Sequence, residues 1–156
     1  VVTDRRGQAV GPGLKPSSEL SFHLALYDLR PDIRSVVHTH SVYATTFACL
    51  REEIPAVHYL VGFSGHSVRV APYATFGTPE LARNITATIE DDQAVLMANH
   101  GLVAVGPTLT RAFAVAEEVE LVARIYYQTR AIGTPHILPE AEMNRVLKKF
   151  AGYGQQ

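Results

Sequence analysis

The chain has 156 residues, 47% of them hydrophobic, with a net charge of −1 and a single cysteine. That length and apolar content suffice for one compact domain with a real core, while the balanced charge and scattered arginines predict no nucleic-acid surface. No apolar run approaches the ~20 residues of a membrane span, and a lone cysteine excludes an intrachain disulfide framework and predicts a reducing, cytoplasmic setting.

In chain order, Val1–Thr3 and Gln8–Val10 around "DRRG" predict a short hairpin. This strand-like opening, without an initiator methionine, predicts that an N-terminal segment of the domain is missing. "SSELSFHLALYDLRPD" predicts a helix capped by Ser17 or Ser18, with Glu19 in its first turn and Pro31 closing it. Arg34–Thr39 reads as a strand, and a second helix starts at Ser41 and carries Cys49 on a buried face. "AVHYLVGF" reads as a buried strand with His58 and Tyr59 on opposite faces, and "VRVAPY" as another. "TPELARNITATIED" predicts a helix with Thr78 as cap, Pro79 at the first position and Glu80 in the first turn. "AVLMANHG" and "LVAVGP" are apolar strands joined through Asn99–Gly101. The longest helix follows Pro107 to about Ala131, and "EAEMNRVLKKF" predicts the last one. The order is not one of regular βαβ units, so an α/β fold in three layers is expected: a largely antiparallel sheet with helices on both faces, one domain over residues 1–156.

The chemistry centres on "VVHTHS". Side chains two apart in a strand share a face, so His38 and His40 can converge on one ion or can be an ordinary packed pair. His100 stands where an apolar strand breaks into "NHG", a costly place for an imidazole unless both ring nitrogens are satisfied. Glu19 is either an acidic residue favoured by the helix dipole or a carboxylate that completes the set. Three imidazoles and a carboxylate suit zinc, with manganese and cobalt as alternatives. Ser17 and Ser18 stand at a helix N-terminus, where backbone amides favour a phosphate. His23 reads as a packed histidine, His66 and His136 as surface residues, and "REE" and "EDD" as solvated helix ends.

"LKPSSE", "VVHTHS", "IPAVHYL", "APYATFGTPEL" and "ANHGLVAVG" together resemble the class II aldolase/adducin family, and within it the L-fuculose-1-phosphate aldolases. The resemblance implies a metal-dependent aldehyde-lyase that reversibly cleaves a ketose 1-phosphate to dihydroxyacetone phosphate and a short aldehyde through a zinc-stabilised enediolate. It implies that His38, His40 and His100 hold the metal, and that Glu19 both ligates it and transfers protons. Ser17 and Ser18 match part of the phosphate pocket. Tyr59 matches a proton donor reaching a neighbouring subunit's site, and Phe150 and Tyr153 match aromatics that close it. A homotetramer with active sites between subunits is implied as well. The family's upstream phosphate-binding turns do not occur in this sequence.

A lysine Schiff base is the other aldolase solution, but Lys15, Lys148 and Lys149 lie in a loop and on a terminal helix. Same-fold epimerases, dehydratases and oxo-acid-phosphate decarboxylases are the rival activities. A non-catalytic adducin-head-like module would lack the ligand set. A cupin barrel would place its glutamate after the histidine pair, not before it.

Overall fold

The computed structural model of the protein describes residues 1–152. Its strands are β1 (Ser35–Thr39), β2 (Val70–Ala71), β3 (Ala94–Met97) and β4 (Gly101–Gly106). Its helices are α1 (Leu20–Leu29), α2 (Val42–Leu50), α3 (Pro79–Ile89), α4 (Leu109–Ile132) and α5 (Glu140–Ala151), with a 3-10 helix over Tyr59–Phe63. The sheet runs β1-β4-β3-β2. β4 is antiparallel to both β1 and β3, and β2 joins β3 in parallel, so the sheet is mixed but largely antiparallel as expected.

Side-chain alternation divides the core into two. Ala94 and Leu96 of β3, with Leu102 and Ala104 of β4, pack against α2, α4 and Met143 of α5. Val95 and Met97, with Val103 and Val105, pack against Phe22 and Leu26 of α1 and the apolar face of α3. β3 and β4 are buried throughout, which explains their unbroken apolar runs. At α3 the sequence signals hold: Thr78 accepts the Leu81 N–H at 3.3 Å and Pro79 opens the helix. The N-terminal hairpin forms around a Thr3–Ala9 bridge.

Two expectations fail, the strand over residues 56–63 and the buried Cys49. Residues 56–63 are a loop and a 3-10 helix, not a strand. Pro55 supplies no N–H for a ladder, and the apolar run is buried by α4 and α5 instead of by strand pairing. His58 is therefore the cap of that 3-10 helix, its Nδ1 accepting the Leu60 N–H at 3.3 Å. Cys49 is exposed, because Ala44, Phe47 and Ala48 take the core side of α2. At "EDD" Glu90 and Asp91 are exposed as expected, while Asp92 is partly buried, with Arg69 donating to it at 2.9 and 3.1 Å and pairing with Glu90 at 2.7 Å. Burial pushes the Asp92 carboxyl up despite this guanidinium.

Candidate metal centre

β1 carries Val36 and His38 toward α1, and the His38 ring meets Phe22 edge-on at 5.7 Å. His38 Nδ1 lies 2.9 Å from the Leu102 carbonyl, which can only accept, so Nδ1 carries the proton. In its neutral form the ring therefore turns a bare Nε2 lone pair toward the other histidines. His40 follows just past the strand end, with its Nε2 only 3.1 Å from that of His38.

His100 sits in the turn between β3 and β4. Asn99, before it, takes a left-handed conformation (φ 55°) that asparagine tolerates better than most residues. Its N–H donates to the Ala48 carbonyl at 2.9 Å, and its side chain accepts from Arg51 at 3.0 Å. Those bonds aim His100 at the pair, with ring centroids 5.0 Å from His38 and 5.1 Å from His40. One nitrogen from each of the three histidines lies within 4.8 Å of the other two. Burial holds the His100 imidazole below its ordinary pKa, outweighing the pull of Glu19, with His38 and His40 adding to the depression.

Glu19 completes the cluster from a position the sequence reading misplaced. It is the residue before α1, not a member of its first turn, and neither Ser17 nor Ser18 caps the helix. Ser17 instead accepts the Glu19 N–H at 3.2 Å. Glu19 Oε2 lies 3.2 Å from His38 Nε2, and Oε1 lies 3.2 Å from His100 Nε2. Neither contact is a hydrogen bond, and Oε1 is a buried carboxylate oxygen without a donor. An orphaned anionic oxygen facing inward-turned imidazole nitrogens is costly on its own. It fits a divalent cation held by nitrogen and oxygen ligands.

The cluster opens on a cavity of about 320 Å³ lined by Ser18, Glu19, His40, Tyr73, Phe76 and His100, among others. Tyr73 and Phe76 were not singled out from sequence. The available signal was two aromatics in the Pro/Gly-bounded stretch "PYATFG", too apolar for a plain loop, and both are exposed here. Gly77 (φ 74°) brings this loop against α1's start, since a Cβ there would stand 2.8 Å from the Ser18 carbonyl. Tyr59 lies elsewhere, in a cavity of about 600 Å³ with His58, Val146 and Phe150 that shares no lining residue with the histidine cavity. Its ring is 6.3 Å from that of Phe150, and Gly62 leaves Phe150 room to pack. Tyr153 lies outside the described residues. His23 stacks on Phe22, while His66 and His136 are exposed.

Phe22 is fully buried beneath His38. Phe22→Ala is expected to destabilise the fold by about 3–5 kcal/mol, read by denaturant unfolding, and to loosen metal binding with it. An unchanged midpoint would contradict that packing role.

Residues 1–127 match the family described as "Class II Aldolase and Adducin N-terminal domain". The 5-deoxy-D-ribulose 1-phosphate aldolase of Bacillus thuringiensis serovar kurstaki is 53% identical over 156 residues, covering 100% of this chain and 73% of that protein. The L-fuculose phosphate aldolase of Escherichia coli K12 is 43% identical over 144 residues, covering 91% and 67%. A solved L-fuculose 1-phosphate aldolase superposes with a TM-score of 0.92 at 46% identity, covering 95% of this chain and 70% of its own.

Proposed function

Because this chain belongs to the class II aldolase and adducin family, we propose that it is a metal-dependent aldolase cleaving a ketose 1-phosphate to dihydroxyacetone phosphate and a short aldehyde. The observation that carries this reading is the convergence of His38, His40, His100 and the undonated Glu19 oxygen on an open cavity. These four residues would hold zinc, which supplies Lewis-acid stabilisation of the negative charge that develops next to the carbonyl. The start of α1, with Ser17 and Ser18 beside Glu19, takes the phosphate.

In the condensation direction Glu19 takes the proton from the carbon of dihydroxyacetone phosphate that forms the new bond. Tyr59 gives its phenolic proton to the aldehyde oxygen, which becomes a hydroxyl. Cleavage reverses both transfers. Tyr59 and Phe150 line a different cavity from the histidines in the same chain, which supports sites shared between subunits of a homotetramer. The apolar rim of Tyr73, Ala74 and Phe76 favours a substrate ending in a methyl group. Both 5-deoxy-D-ribulose 1-phosphate and L-fuculose 1-phosphate, named by the relatives, are of that kind.

The test is a coupled assay for dihydroxyacetone phosphate over a panel of ketose 1-phosphates, run before and after chelation. Release from a methyl-terminated member, abolished by chelator and restored by zinc, is expected. Zinc-loaded protein inert on the whole panel would sink the aldolase reading.

A further inference from the structure

The helix that joins the two histidine-bearing segments has no local cap. α2 begins two residues after His40, and Ser41, its capping residue, makes no side-chain bond to the helix. The Ser41 hydroxyl instead accepts from Thr39 at 3.2 Å. The exposed amides are met from far along the chain: Glu120 of α4 accepts the Tyr43 N–H at 2.9 Å and the Ala44 N–H at 2.8 Å, one on each oxygen. A carboxylate in that place satisfies two orphan donors and complements the positive end of the helix dipole. The other end of α2 is equally committed, since the Ala48 carbonyl receives the N–H of Asn99, the neighbour of His100. Arg51, just past the helix, holds the Asn99 side chain at 3.0 Å. α2 is thus a strut with His40 at one end and His100 at the other.

We propose that Glu120 is a positioning residue for the metal centre, fixing α2 so that His40 and His100 keep their mutual geometry. The proposal rests on the reading of the histidine cluster as a metal site. Glutamine cannot replace the carboxylate, because its amide group would present N–H to one of the two backbone N–H donors. A local cap can: aspartate at position 41 would reach the same second and third amides of the helix.

The experiment is cobalt titration of the full chain, followed by the visible absorption of the bound ion, with circular dichroism as the check on folding. Glu120→Ala and Glu120→Gln are expected to keep their helical signal and to lose about 10–100-fold in cobalt affinity, the range for groups that orient metal ligands. The double variant Glu120→Ala/Ser41→Asp is expected to recover most of that loss. Folded single variants with wild-type affinity overturn the proposal, as does a loss that Ser41→Asp fails to repair. If Glu120→Ala does not fold, Glu120→Gln and the double variant decide the matter by the same criteria. A wild-type chain that binds no cobalt overturns the metal-site reading and this proposal together, whereas unaffected variants of a cobalt-binding wild type overturn this proposal alone.

Discussion

Gly101→Ala is expected to purify largely without metal. A Cβ at Gly101 would stand 2.5 Å from the Thr39 carbonyl oxygen, 2.9 Å from His40 Cδ2 and 3.3 Å from His38 Cε1. The first neighbour is backbone on the adjacent strand, so relief must come from parting β1 and β4 at the place where the histidines leave the sheet. Overpacking of this kind costs about 1–3 kcal/mol in stability, which a well-buried sheet can absorb. Ligand geometry is less forgiving, and zinc affinity is expected to fall by about 100-fold or more, beyond the usual effect of a group outside the ligand set. Zinc content after dialysis and a chelator-competition titration read this directly. A Gly101→Ala protein with one tightly held zinc per chain would show that the close approach is not a constraint on the centre. The restriction is one of space, since the backbone of Gly101 is not in the left-handed region.

Glu19→Gln separates the two duties assigned to Glu19. The substitution keeps the size of the side chain and an oxygen near His38 and His100 but removes the capacity to take a proton. Turnover is expected to fall by about 10²–10⁴-fold, the usual worth of a general acid–base group, while zinc affinity falls far less. The sharper readout is exchange of the carbon-bound proton of dihydroxyacetone phosphate with deuterated water, followed by NMR without any aldehyde. Glu19→Gln should lose this exchange, whereas Tyr59→Phe should retain it and fail only when the aldehyde must be protonated. Wild-type exchange in Glu19→Gln would return Glu19 to the plainer role of an acid beside a helix N-terminus.

Much of this molecule was legible in one dimension. The fully apolar runs of β3 and β4 marked strands buried on both faces, and Thr78-Pro79-Glu80 marked a helix start. "VVHTHS" and "NHG" placed three imidazoles at strand ends, because strand periodicity and the cost of burying an unsatisfied ring are local matters. Where apolar periodicity was short it misled: residues 56–63 satisfy a strand pattern and a buried irregular segment equally well. The choice between them was made by Pro55 and by the packing of α4 and α5. The aromatic rim of Tyr73 and Phe76 had only its unusual apolarity for a loop to flag it.

What the sequence determined by itself, then, is the set of candidate ligands and the elements that carry it, since side-chain type and alternation follow from local backbone geometry. What only the tertiary structure decided is convergence. Nothing local to Glu19 places it near the histidines; the packing of α1 on β1 sets its carboxylate 3.2 Å from His38 and His100. Glu120 meets the open end of α2 only because α4 crosses it there. Both placements depend on angstrom-scale distances between segments far apart in the chain, and such distances are fixed by how the two cores pack against the sheet.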